Sequence, residues 1–106
     1  MPACMYNVHM TVRFVWDPKK DQQNQKKHGV SFAEAATIFH NHPLEVFHDP
    51  DHSEFEERYI AAGFTDRSRL VLVVHCENES GTEIRIISAR RATKNERATL
   101  FGGILR

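Results

Sequence analysis

Apolar residues change their period several times along this chain, and each change marks an element. Thr11 to Trp16 reads Thr-Val-Arg-Phe-Val-Trp, a β-branched and aromatic stretch that predicts a short first strand. Asp17-Pro18 then ends it. Asp accepts hydrogen bonds from free helix amides and Pro has no donor to leave unpaired, so the pair predicts a helix start, running to about His28 with Gly29 as its left-handed stop. From Lys19 to Lys27 that helix is almost wholly polar. Its buried stripe must be narrow, which predicts a weakly packed or partner-facing helix.

Ser31 and Glu34 have capping-box spacing, and Phe32, Ala35, Ala36 and Phe39 follow at i, i+3, i+4 and i+7, predicting a second helix with a core-facing stripe. His40-Asn41-His42-Pro43 breaks it, because a residue before proline is pushed out of helical geometry. Strands are then predicted over Leu44 to His48, Glu57 to Phe64, Arg69 to Cys76 and Thr82 to Ala89. The joins at Thr65 to Ser68 and Glu77 to Gly81 are polar and hairpin-sized, which implies antiparallel neighbours. Leu70 to Val74 is apolar at every position and reads as the central strand; Ile84 and Ile86 face one side and Arg85 the other. Thr93 with Glu96 forms a second capping box, opening a final helix that Gly102-Gly103 ends. The order β-α-α-β-β-β-β-α predicts an α+β fold: an antiparallel sheet of four to five strands with two N-terminal helices and a C-terminal helix.

Composition narrows the class. At 106 residues, 41% hydrophobic and 26% charged, the chain is one small globular domain, and disorder and collagen-like repeats are excluded. No apolar run approaches the ~20 residues that span a bilayer, and two cysteines, Cys4 and Cys76, are too few for a disulfide scaffold. A cytoplasmic setting is expected. Fourteen Lys and Arg balance fourteen Asp and Glu, yet the charges are segregated. Leu44 to Glu57 carries only acids, while Lys19, Lys20, Lys26, Lys27 and the stretch Arg85 to Arg106 are strongly basic. The neutral total therefore hides two basic segments.

Six fragments are familiar together: Phe14-Val15-Trp16-Asp17-Pro18, Lys27-His28-Gly29-Val30-Ser31-Phe32, Glu34-Ala35-Ala36, Asp51-His52-Ser53-Glu54, Glu57-Arg58 and Ile86 to Thr93. In order and spacing, across about Phe14 to Arg97, they resemble the BrnT toxin family. The resemblance implies a RelE-like α+β ribonuclease, the toxin of a type II toxin-antitoxin pair. It implies a BrnA-type antitoxin partner with a ribbon-helix-helix domain, operator DNA contacted only through that antitoxin, an RNA substrate, and no cofactor or membrane. The chain departs from the family at both ends. Residues 1 to 10 read as an N-terminal extension before a single toxin domain over 11 to 106, with Met10 as a candidate initiator, and Leu100 to Arg106 is short and glycine-containing.

Cutting RNA without a metal needs a base for the ribose 2′-hydroxyl, an acid for the leaving oxygen, and cations facing the phosphorane-like transition state. His28 is a candidate proton carrier, because an imidazole exchanges protons near neutral pH, or is simply a histidine favoured by a helix C-terminus. Glu57 is either a base or an orienting partner for the arginines. Arg58, Arg85 and Arg90 are the main candidates for the phosphate and transition state, because guanidinium forks match phosphate oxygens; a solvated charged face is the alternative. Arg90 and Arg91 should point to opposite sides, leaving Arg91, with Lys26, Lys27 and Lys94, to contact RNA elsewhere or antitoxin. Trp16 offers a stacking face for a base, or belongs to the core. His40, His42, His48 and His52, with Asp49 and Asp51, have metal-ligand chemistry but irregular spacing, so no metal site is expected. His75 and Cys76 read as core residues.

The leading expectation is a metal-independent endoribonuclease toxin. Its alternatives are a non-catalytic module that binds protein or DNA complexes, and a metal hydrolase built on His40 to His52.

Overall fold

The computed structural model describes residues 12–49 and 57–103. The expected extension over residues 1–10, with Cys4, and the candidate ligands Asp51 and His52 lie outside the described residues. Five strands form one sheet in the order β1-β5-β4-β3-β2: β1 (Arg13–Val15), β2 (Leu44–His48), β3 (Arg58–Phe64), β4 (Leu70–Glu77) and β5 (Glu83–Arg91). β2, β3, β4 and β5 pair antiparallel in sequence order, as the hairpin-length joins predict for β3, β4 and β5. β1 corrects the expected antiparallel sheet. It pairs parallel with β5, Arg13 opposite Glu83 and Val15 opposite Arg85, so the sheet is mixed. A helical segment, not a hairpin, follows β1, so nothing local dictates its partner; it fills the edge that β5 leaves open.

α1 (Pro18–His28) begins and ends as its sequence dictates. Asp17 is extended and its carboxylate accepts the Lys19 amide at 2.9 Å, and Gly29 closes the helix with φ +70°. The helix is not weakly docked, although its buried side chain is polar. Asn24 is 7% exposed; its Nδ2 donates to the carbonyls of Val30 (2.9 Å) and Ala89 (2.7 Å), and its Oδ1 accepts the Ala89 amide at 3.1 Å. Ala89 turns both backbone groups away from β4 toward the edge that β1 no longer reaches. The Asn24 amide thus takes the place of a peptide group from a neighbouring strand.

α2 (Phe32–Ala36) is shorter than its periodicity suggests and passes into a 3-10 turn, Thr37–His40. The Thr37 hydroxyl donates to the Glu34 carbonyl and accepts the Asp66 amide, which ties the chain to the β3–β4 turn as the helix tightens. Only half of the expected capping box forms here. Ser31 Oγ accepts the Glu34 amide at 3.0 Å, but the Glu34 carboxylate turns inward to Arg69 and Thr65. The 3-10 turn crosses the sheet at Gly63, where a Cβ would stand 3.2 Å from Ile38 Cβ.

These helices cover one face of the sheet. Val30, Phe32, Ala35 and Ile38 pack on Ala61, Val71, Val73, Ile84, Ile86 and Ala89, with Trp16 set edge-on to Phe32 at 6.2 Å between ring centres. On the opposite face a smaller cluster forms from Ala62, Leu70, Leu72 and Leu100. Leu100 arrives from α3 (Lys94–Thr99), whose capping box between Thr93 and Glu96 is complete. α3 ends before the glycines. Phe101 and Gly102 are left-handed (φ +56° and +68°), so the chain reverses, Phe101 stacks on Phe64, and its amide donates to the Glu45 carboxylate at 3.0 Å.

Replacing Asn24 by Ala or by Leu would orphan the Ala89 amide and two carbonyls, at about 1–3 kcal/mol for each buried group. Both variants are expected to lose roughly 3 kcal/mol in urea unfolding. A loss below about 0.5 kcal/mol would show that solvent replaces the Asn24 bonds without penalty.

Candidate functional site

The placement of the basic residues turns on one irregularity in β5. Val74 pairs with Ser88 and His75 with Ile86, so β4 advances one residue while β5 advances two and Ile87 is bulged out. In a regular strand Arg85 and Arg90, an odd number of positions apart, would face opposite sides. The bulge reverses the alternation between them. Ile84, Ile86 and Ala89 therefore stay in the helix-side core, while Arg85, Ser88 and Arg90 share the other face.

Cross-strand partners extend that face. Arg58 pairs with Cys76 and Cys76 with Arg85, so Arg58, Cys76 and Arg85 form one row across three strands. At ~4.8 Å between strands, the Arg58 and Arg85 backbones are about 10 Å apart, within reach of one phosphodiester for two extended guanidinium chains. Beside this row is a cleft of about 180 Å³ lined by Cys76, Glu77, Asn78, Glu83 and Arg85. Ile60, Val74 and Ser88 form the next row, and Ala62, Leu72 and Arg90 the one after, about 13 Å along the sheet from Arg85.

Arg90 is held by a bidentate pair with Glu96, Nη1 to Oε1 at 2.8 Å and Nη2 to Oε2 at 2.7 Å. The Arg90 hydrogen bonds, joined by those of Thr93, lower the Glu96 pKa from 4.5 to about 2, and the same pairing raises that of Arg90. This pair joins α3 to β5. Arg90 therefore serves as an anchor of the C-terminal segment as well as a cation on the face. Arg91 is exposed and pairs with Val71, which puts it on the helix side, as expected for the neighbour of Arg90. Lys94 is exposed at the start of α3.

The expected proton carriers stand elsewhere. Glu57 hydrogen-bonds to His48 Nε2, and the His48 ring meets Tyr59 edge-on, with Tyr59 stacked on His75 at 5.7 Å and His75 edge-on to Phe39. That chain of rings runs beneath the helices, so Glu57 and Arg58, adjacent in sequence, act on opposite sides of the sheet. His28 closes α1 next to Gly29, whose carbonyl accepts from Arg69, at the β3–β4 turn end and remote from Arg58 and Arg85. Lys26 and Lys27 are exposed on the same turn of α1. Trp16 is half-buried against Phe32.

Of the histidine group, His40 bonds Asp66 at 2.9 Å and His48 bonds Glu57. Among the described residues, no three His, Cys, Asp or Glu side chains are placed to hold one ion. His75 is fully buried, as its strand position suggests, but only its Nε2 is satisfied, by Glu77 at 3.2 Å. The sequence reading missed two side chains. Arg69 is a structural partner of Glu34, whose side chain is 8% exposed. Phe47 is 41% exposed on the edge strand β2. Neither has a sequence signal beyond its strand position, because both depend on which strand lies alongside.

A family model described as the ribonuclease toxin, BrnT, of type II toxin-antitoxin systems matches residues 16–96. The 1.1 Å crystal structure of the Brucella abortus ribonuclease toxin, BrnT, matches with a TM-score of 0.60 and 26% sequence identity, covering 79% of this chain and 100% of that one. No curated protein matches the chain. No helix among the described residues is long and apolar enough to cross a membrane.

The two carboxylate pairs set an acid limit. Glu34, held by Arg69, and Glu96, held by Arg90, titrate below their ordinary value in the fold. Their stabilisation is present above the ordinary carboxylate range and is lost as pH falls through the folded values. The urea midpoint is expected to fall steadily from about pH 5 to about pH 2, and Glu96→Gln should lower it at pH 7 and flatten that fall. An unchanged slope in Glu96→Gln would remove this pair from the acid response.

Proposed function

Because the chain belongs to the BrnT family of ribonuclease toxins of type II toxin-antitoxin systems, we propose that it cleaves RNA on the sheet face bearing Arg58, Arg85 and Arg90. The observation that carries this is the β5 bulge, which turns arginines of both halves of the strand to the side that the N-terminal helices leave uncovered. Cleavage proceeds by attack of a ribose 2′-hydroxyl on the adjacent phosphorus, which breaks the P–O5′ bond and leaves a 2′,3′-cyclic phosphate, the hydroxyl proton passing to solvent water and the departing 5′-oxygen taking one from it. Negative charge grows on the non-bridging oxygens during that step. Fixed guanidinium groups stabilise it most where they need not reorganise. Arg58 and Arg85 take that role, and Arg90, oriented by Glu96, binds the neighbouring phosphate. Arginines supply the cations, so the reaction requires no metal ion.

The family membership implies an antitoxin partner. In this reading the partner is of the BrnA type, with a ribbon-helix-helix domain that reaches operator DNA, and it silences the toxin by covering the arginine face. The domain is RelE-like and works in the cytoplasm. His28 and Glu57 lie away from the arginine row, so they contribute less to the chemical step than the arginines.

Purified protein is expected to cut RNA in EDTA, and Arg58→Ala with Arg85→Ala should lower the rate by at least about 100-fold, the usual scale for lost transition-state charge stabilisation. His28→Ala and Glu57→Gln should each cost under about tenfold. Circular dichroism establishes that each variant is folded. Undiminished cutting by the folded double variant would overturn the residue assignment. Wild-type protein that binds RNA without cutting it, and that cells tolerate without antitoxin, would favour the non-catalytic binding module.

A further inference from the structure

A ribonuclease face needs a place for bases as well as phosphates. Trp16 does not provide it, because it packs into the helix-side core against Phe32. Tyr59 is stacked on His75 on that same side, and Phe64 and Phe101 stack on each other with Arg97 over the Phe64 ring. Phe47 remains. It pairs with Ile60 across β2 and β3, and Ile60 pairs with Val74, itself opposite Ser88. The row Phe47, Ile60, Val74, Ser88 therefore lies on the arginine face. Val46, its still more exposed neighbour, pairs with Ala61 of the helix-side core and faces the other way.

The rows on either side of this one each carry arginines, and the second begins at Glu45, opposite Ala62, whose carboxylate accepts the Phe101 amide. Arg58 is the diagonal neighbour of Phe47, about 7–8 Å away and within reach of an aromatic side chain. Arg85 continues the same row, and Arg90 ends the row on the other side. A strip of Phe47, Ile60 and Val74 that ends in an exposed aromatic ring, with Arg58 diagonal to that ring and Arg85 and Arg90 further along the neighbouring rows, has the elements of a single-stranded nucleic-acid site. Phosphates lie along the arginines and a base lies against the ring.

We infer that Phe47 stacks a base of the bound RNA and so fixes which phosphodiester meets Arg58 and Arg85. This inference rests on the ribonuclease reading of the face. Stacking on Phe47 is independent of base identity in its energy, because every base has a π-face, and it acts on binding more than on the chemical step.

Two experiments on the full chain test it. Phe47→Leu is expected to raise KM for RNA by roughly tenfold, the scale of one lost base stack, with kcat within about twofold, and Phe47→Tyr should restore KM. In Trp16→Phe with Phe47→Trp, the single tryptophan should be quenched by an uncleavable 2′-deoxy oligonucleotide and not by a fully abasic chain of the same length. Unchanged KM in Phe47→Leu, or equal fluorescence responses to the two oligonucleotides, would overturn the inference. If wild-type protein does not cut RNA, the ribonuclease reading fails, and the fluorescence titration still decides whether position 47 stacks a base.

Discussion

The Asn24 side chain ties α1, the edge of β5 and the turn at Val30 to one another. β1 is only three residues long and leaves most of the β5 edge uncovered. An exposed edge at that point would carry unpaired backbone groups beneath a helix, where water is largely excluded. The Asn24 amide satisfies the Ala89 N–H and C=O together with the Val30 carbonyl. Asn24 thereby sets α1 on the sheet, and Asp21, whose carboxylate accepts the Phe32 amide at 2.9 Å, shares in directing the chain into α2. This explains how a helix with almost no apolar stripe is firmly docked. Its attachment depends on geometry more than on buried area, and it is correspondingly sensitive to single-atom changes.

The same contact constrains β5. Ala89 must sit on the helix side with its backbone polar groups directed to Asn24, while Ile84 and Ile86 must fill the same core lower down. A regular strand cannot place residues 86 and 89 on one face. The bulge at Ile87 reconciles them, and as a consequence Ser88 and Arg90 join Arg85 on the opposite face. Packing on one side of the sheet thus sets the charge pattern on the other. Glu96 then orients Arg90, and the short α3 segment it anchors covers the apolar end near Leu70 and Leu72.

The neutral charge total also acquires a structural meaning. Several acids are committed to particular bases: Glu34 to Arg69, Glu96 to Arg90 and Glu83 to Arg13. Glu34 has only 8% of its side chain exposed and spans from α2 to the β3–β4 turn, so its ion pair is part of the architecture. The overall balance says little about nucleic acid. The sorting of cations between faces says more.

Local signals determined much of this protein. Asp17-Pro18 and Gly29 bounded the first helix to the residue, Thr93 and Glu96 capped the last, and the polar joins at Thr65 and Glu77 set the antiparallel pairing of β3, β4 and β5. Each of those features lies within a few residues of its cause, and the six BrnT-like fragments identified the family for the same reason. Tertiary structure alone decided the parallel partner of β1, the bulge in β5, the inward turn of Glu34 away from its capping box, and the separation of His28 and Glu57 from the arginines. These depend on contacts between residues up to 70 positions apart, as between Arg13 and Glu83. Periodicity specifies that a strand has two faces, but which face a given arginine occupies is settled only when the whole sheet is packed.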